Sequence, residues 1–289
     1  MPPEELHFEV FGKHFAARRW GRGRPIRVLA LHGWRDNCAS FDFLAPLLAD
    51  CDLVAPDLAG HGHSDWRSAD APYTVWQDVG ELLAIVDELG WERFCLLGHS
   101  RGAAIATLLA GSHPARVERL VLLDNLFPAP VLAADAPAQL AAAIADRRAL
   151  AGWKPRYHPG FDDALAARTR GPLALPLDAA RALALRGVEK SPEGYYWRGD
   201  PRLGAASEVK FSEEHALAFV KALTFPVLLL LGADSPIRRD DDMTRWAGSN
   251  EQIAVREVSG GHHMHMDGGL AETAGRVAAF FGGGGGPAT

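Results

Sequence analysis

Only three cysteines stand in the 289 residues of the chain, and Cys38, Cys51 and Cys95 form no C-x-x-C pair. That excludes a disulfide framework and a thiolate metal site, so the three read as small reduced core residues. An excess of positive charge is also missing. Lys and Arg total 30 against 36 Asp and Glu, a net charge of −6, which leaves no basic footprint for a phosphate backbone; nucleic acid is not an expected partner. Apolar runs such as Val28–Leu31 and Val227–Leu231 fall far short of the roughly 20 residues a membrane-spanning helix needs, and no membrane span is expected. The opening Met-Pro-Pro-Glu-Glu lacks the basic flank and apolar stretch of a secretory signal, which implies a cytoplasmic protein.

What the chain does have is 48% hydrophobic residues against 23% charged, enough to bury a sizeable core in water. Its apolar segments alternate in kind. Two strand-like segments, Leu6–Phe11 and His14–Trp20, flank the turn signal Gly12-Lys13 and predict an opening hairpin. Continuous apolar runs at Ile26–His32 and Cys51–Pro56 bracket a helix-compatible Phe41–Ala49. The same rhythm follows in helical Val75–Leu89, strand Phe94–Leu97, helical Ala103–Ala110 and strand Leu120–Leu123. Strand, helix, strand in repetition predicts an α/β fold, a mostly parallel doubly wound sheet with helices on both faces.

The rhythm stops after Asp124. Residues 127–222 carry helical periodicity in Ala138–Leu150 and Asp178–Leu185 and contain no convincing strand, so they are expected to form a helical cap over the sheet. Alternation resumes with Phe225–Gly232, a helix near Asp241–Ala247, strand Gln252–Val258 and a final helix over Leu270–Phe281. The expected organisation is a sheet domain of residues 1–126 and 223–281, the cap between them, and a disordered glycine-rich tail at 282–289.

Gly98-His99-Ser100-Arg101-Gly102 carries the clearest chemistry, because this G-x-S-x-G lies between a buried strand and a helix. A serine on so sharp a turn needs small residues on either side, and the amide of Arg101 would open the helix where an oxyanion forms. A serine hydroxyl needs a base. Among the 12 histidines, the late Gly260-Gly261-His262-His263-Met264-His265 sits where the order serine, acid, histidine requires it, and His262, first after the glycines, is the candidate. His32 and Gly33 lead to Trp34, whose amide is the second candidate oxyanion donor. Asp124 and Asp234 each follow a strand and are equal candidates for the acid; Asp240, Asp241 and Asp242 read as a solvated helix start.

Two histidine-rich stretches offer a rival reading. His262, His263 and His265 could ligate a metal, and His61-Gly62-His63-Ser64-Asp65 has the form H-x-H-x-D. Trp66 stands where that second motif needs a further histidine and no cysteine supplies one, so the histidines read as loop anchors and no metal or other cofactor is expected.

Taken together, Leu31-His32-Gly33-Trp34, Asp57-Leu58-Ala59-Gly60-His61-Gly62-His63-Ser64, Gly98-His99-Ser100-Arg101-Gly102 and His262 resemble the α/β-hydrolase superfamily over nearly the whole chain. Gly33-Trp34-Arg35-Asp36-Asn37, Leu122-Leu123-Asp124-Asn125-Leu126, Trp197-Arg198-Gly199-Asp200-Pro201-Arg202-Leu203 and Gly260–Met266 are similar to its serine hydrolase-like protein group. The resemblance implies Ser100 as nucleophile, His262 as base, Trp34 and Arg101 as oxyanion hole, and His32, Gly33, Gly98, His99 and Gly102 as the loops supporting them. It departs at Gly232-Ala233-Asp234-Ser235, where the usual G-x-x-D is not clear; some branches place the acid after the sixth strand, which brings Asp124 forward.

The expected activity is cleavage of a carboxylic ester or related acyl compound, with Trp153, Phe161, Tyr195, Tyr196 and Trp197 as candidates to line a pocket for a medium-sized apolar group. A serine-dependent lactonase or C–C bond hydrolase shares the same residues. A non-catalytic ligand-binding protein of the same fold is the reading from another class.

Overall fold

A computed structural model describes residues 2–171, 173–239 and 241–283. Among these, eight strands form one sheet in the order β1-β2-β4-β3-β5-β6-β9-β10. They are β1 (Glu4–Val10), β2 (Lys13–Trp20), β3 (Ile26–Leu31), β4 (Cys51–Pro56), β5 (Phe94–His99), β6 (Val117–Leu123), β9 (Val227–Gly232) and β10 (Ile253–Val258). β1 and β2 pair antiparallel, as does β2 with β4, and the pairs from β4 through to β10 are parallel. The central strands owe their largely apolar sequence to this arrangement. Helices cover both faces, so alternating polar positions have nowhere to go, and every residue of β4, β5 and β9 is buried.

On one face lie α1 (Val75–Glu88), α2 (Arg101–Ser112), α6 (Glu213–Lys221) and α7 (Asp241–Ala247), sharing a core through Leu82, Ile105, Leu109, Val220 and Trp246. On the other lies α8 (Leu270–Phe281), with Val277 and Phe280 against Val28, Leu97 and Val121. Every residue of α2 from Gly102 to Ala110 is buried, which is why this stretch is small and almost wholly apolar rather than amphipathic. No helix among the described residues is long and apolar enough to cross a membrane.

Between β6 and α6 run α3 (Ala136–Leu150), α4 (Phe161–Leu165) and α5 (Leu177–Gly187), then a two-stranded hairpin of β7 (Val188–Ser191) and β8 (Gly194–Trp197). The expectation of a strandless insertion is thereby corrected. Each strand has only four residues, too few for alternation to stand out. α5 builds a separate small core, in which Ala180, Leu183 and Ala184 pack with Ala39 and Met266. α6, expected within the cap, instead shares the main core.

Two further expectations differ. Phe41–Ala49 is not a helix but two short 3₁₀ turns, Cys38–Phe41 and Ala45–Leu47; Pro46 offers no N–H to continue a helical ladder. The opening hairpin turns at Phe11-Gly12, one residue earlier than the signal, with both residues at positive φ. The expected tail from residue 284 onward, and Asp240, lie outside the described residues.

Arg186 fastens α5 to the sheet. Its Nε donates to Asp57 Oδ2 at 2.8 Å and its Nη1 to both oxygens of Glu5 at 2.9 Å, and the side chains of Arg186 and Asp57 are 1% and 0% exposed. Removing one partner of a buried pair leaves the other charge uncompensated. Arg186→Met is therefore expected to destabilise the protein by about 3–5 kcal/mol in urea unfolding, and a loss below about 1 kcal/mol would contradict this role.

Candidate active site

Ser100 sits between β5 and α2 at φ 52°, ψ −117°, a backbone conformation that costs a non-glycine residue about 1–3 kcal/mol. Close packing holds it there. A Cβ on Gly102 would come within 2.1 Å of the carbonyl oxygen of Leu31, and one on Gly98 within 2.5 Å of the Ala103 Cα, so only glycine permits the turn to press against β3. The Ser100 N–H donates to Leu123 O at 3.0 Å, and Asn125 Nδ2 donates to Ser100 O at 3.0 Å. The hydroxyl is left partly exposed while the backbone beneath it is pinned.

His262 Nε2 lies 2.9 Å from Ser100 Oγ, and His262 Nδ1 lies 2.7 Å from Asp124 Oδ2. A carboxylate can only accept, so Nδ1 carries the proton and Nε2 presents its lone pair to the serine hydroxyl. Asp124 is fully buried and has a positive φ of 55°. Its Oδ1 accepts from Gly232 N at 3.0 Å, and its Oδ2 also accepts from the Ser235 hydroxyl. Of the two aspartates the sequence left open, Asp124 is the one that meets His262. Asp234 is exposed, and its backbone N–H donates to Gly260 O at 3.0 Å.

The other expected residues gather around this line. Among the described residues the backbone N–H groups of Trp34 and Arg101 have no protein acceptor, as donors awaiting an oxyanion would. The Trp34 indole donates to Leu203 O at 2.8 Å. Arg101 reaches Asp78 Oδ2 at 2.8 Å, part of a buried group in which Arg67 also bridges Asp78 and Glu81. His32 ties the loop after β3 to the loop after β4, with Nε2 accepting from Leu58 N at 3.0 Å and Nδ1 2.8 Å from Gly33 O. His99 is wholly buried, and its Nε2 lies 2.9 Å from the carbonyl oxygen of His262; that ring holds the backbone of His262.

Asp36 stands in the Gly33–Asn37 stretch with no role assigned by sequence, yet it joins several loops. It accepts from the Arg168 guanidinium, and its Oδ2 lies 3.4 Å from His263 Nε2 and 3.7 Å from His99 Nδ1. Burial alone would raise its pKa, but Arg168 and His263 hold it well below the usual carboxylate range. Ligand atoms of Asp36, His99 and His263 all lie within 4.8 Å of one another. A divalent ion there would share its carboxylate with a guanidinium. The H-x-H-x-D stretch does not converge: His61 is buried and faces Arg35, His63 is exposed, and Asp65 accepts from His14 N at 2.8 Å. Of the expected pocket residues, Trp153 and Trp197 line a cavity of about 630 Å³ beside Arg35 and Asp36. Phe161 and Tyr195 pack edge to face against each other instead, as do Tyr157 and Tyr196.

Comparison with known proteins follows the same outline. Residues 26–269 match the family model described as alpha/beta hydrolase fold. Serine hydrolase-like protein 2 of Homo sapiens is 32% identical, over 91% of this chain and 89% of that one. A probable serine hydrolase of Drosophila melanogaster is 30% identical, over 91% and 83%. Among solved structures, a hypothetical protein from Pseudomonas aeruginosa PAO1 superposes with a TM-score of 0.92 at 39% identity, covering 96% of this chain and 99% of that one.

The buried histidines around the site make stability depend on pH. His265, fully buried with Nε2 2.7 Å from Ser40 Oγ, is pushed down to about 3 by burial, whereas an unfolded histidine titrates near ~6.5. The unfolded chain therefore binds more protons between these values. Stability is full above about pH 6.5 and falls toward lower pH by about 1.4 kcal/mol per pH unit for each such histidine. His265→Gln should flatten the fall between pH 6.5 and 5 by about that amount in denaturant titrations; an unchanged slope would contradict it.

Proposed function

The chain belongs to the α/β-hydrolase fold family, and on that premise we propose that it is a serine hydrolase cleaving carboxylic esters through an acyl-enzyme on Ser100. One observation carries this reading: His262 bridges Ser100 Oγ at 2.9 Å and Asp124 Oδ2 at 2.7 Å. Each partner then has a defined task. His262 Nε2 takes the hydroxyl proton as Ser100 Oγ attacks the ester carbonyl, and the Asp124 carboxylate balances the imidazolium that forms.

The carbonyl oxygen becomes an oxyanion, for which the N–H groups of Trp34 and Arg101 are the donors, the latter aided by the positive end of α2. His262 returns the proton to the departing alcohol, and the acyl group stays on Ser100. Water then repeats the sequence: it loses a proton to His262, attacks the acyl carbon, and Ser100 leaves with the proton restored. Thioesters and lactones fall within the same chemistry. The segment from α3 to β8 acts as a cap that selects the acyl or alcohol group through the cavity that Trp153 and Trp197 line, and the protein works in the cytoplasm.

Kinetics on short p-nitrophenyl esters test the reading. Ser100→Ala should lose on the order of 10⁴ to 10⁶ in kcat, and Asp124→Asn on the order of 10⁴ because the imidazole would adopt the wrong tautomer. Asp234→Asn should keep the parental rate. Parental turnover by Ser100→Ala, or a loss confined to Asp234→Asn, would overturn the assignment.

A further inference from the structure

The loop that supplies the Trp34 amide continues into a residue whose charge the proposed reaction does not use. Arg35 is held at φ 58°, in the left-handed region that is unfavourable for a long side chain. His61 Nε2 accepts the Arg35 N–H at 3.2 Å and keeps it there. The guanidinium lies over the Trp34 ring, 4.3 Å from its centroid, a cation–π contact that restrains it. Its Nη2 also lies 3.0 Å from where a Cβ on Gly204 would sit, so the absence of a side chain at 204 makes room for it. The head is thus placed in advance of any ligand.

No carboxylate among the described residues pairs with it. Arg35, Arg168, Asp36, Asp146 and Asp200 all border the cavity of about 630 Å³, yet the other charges are engaged. Arg168 bonds Asp36, Arg202 bonds Asp200 at 2.6 Å, and Asp146 Oδ2 accepts from Ala206 N at 2.9 Å. Arg35 is exposed as a residue; partial desolvation and the neighbouring Arg168 disfavour its charge, which a guanidinium keeps regardless. An anion entering the cavity would relieve both.

We propose that Arg35 is a specificity-determining residue that binds a carboxylate on the substrate, making the preferred substrates esters whose acyl part ends in a second, ionised carboxyl group. This goes beyond the apolar group expected from the aromatic residues of the cap, and it rests on the reading of Ser100 as the nucleophile. The planar fork of Arg35 pairs with a carboxylate through two parallel N–H donors, while Trp153 and Trp197 cover the intervening methylenes. Arg35 directly follows Trp34, whose N–H is the proposed oxyanion donor, so a substrate held at Ser100 can extend to the guanidinium.

Matched esters test this. p-Nitrophenyl half-esters of succinic, glutaric and adipic acids are each compared with the neutral ester in which a methyl ketone replaces the carboxylate. The wild type should favour the carboxylate member of at least one pair by about 10-fold or more in kcat/KM. Arg35→Gln should bring that ratio close to one, chiefly by raising KM for the carboxylate ester, and Arg35→Lys should restore part of it. A wild-type ratio near or below one in all three pairs, or a ratio untouched by Arg35→Gln, would overturn the proposal.

Calorimetric titration of Ser100→Ala with the three monomethyl half-esters separates the two readings. If the serine chemistry fails, turnover is lost in the wild type, but Ser100→Ala still binds a half-ester about 10-fold tighter than Ser100→Ala/Arg35→Gln. If the arginine reading fails, the two proteins bind alike.

Discussion

The site depends on how closely α2 can approach β3. Gly102 lets the helix start against the carbonyl groups of Leu31 and His32, at a distance that any Cβ would close to 2.1 Å. That contact forces Ser100 into its strained turn and lines up the first N–H of α2 with the loop bearing Trp34. It also explains the composition of α2, whose run of Gly, Ala and small apolar residues is the surface that allows the approach. The parallel order of the sheet then places the loops after β6 and β10 beside the same turn, which brings Asp124 and His262 to the serine from positions 24 and 162 residues away.

A second layer of polar residues fixes those loops to one another. His99 grips the carbonyl of His262, His32 joins two strand ends, and Asp36 links Arg168 to His263. Each lies in a region where an unpaired polar atom costs about 1–3 kcal/mol, and Asp36 Oδ2 and His99 Nδ1 face each other there at 3.7 Å without a hydrogen bond. Arg168 belongs to the segment between β6 and α6, and its bond to Asp36 connects that segment to the loop of Trp34. Together with Arg186 on Asp57, it makes the placement of the insertion over the sheet an electrostatic matter as well as an apolar one.

Much of this was legible in the sequence, for a physical reason in each case. Buried parallel strands must be largely apolar, so β3, β4, β5, β6 and β9 announced themselves, and Ser100 stood between a strand and a helix as a turn of that kind requires. Which aspartate meets His262 was not legible, because Asp124 and Asp234 both follow apolar strands. What separates them is three-dimensional: Asp124 turns at positive φ into a pocket formed by Gly232 N and Ser235 Oγ, whereas Asp234 faces outward. Asn125, Ser235 and Asp36 stood in motifs of the sequence without an assigned role, since their partners are 25, 111 and 132 residues distant. The hairpin β7–β8 escaped for the opposite reason, its strands being too short to carry a period.

The central claim is that His262 and Asp124 activate one particular serine among all those in the chain. Reaction with a fluorophosphonate, followed by mass spectrometry of the digested protein, tests it most directly, since the reagent modifies only serines whose hydroxyl is made nucleophilic by a neighbouring base. The account predicts a single stoichiometric adduct on Ser100, lost in His262→Ala and slowed by orders of magnitude in Asp124→Asn. An unmodified Ser100, or labelling that persists at full rate without His262, would contradict it.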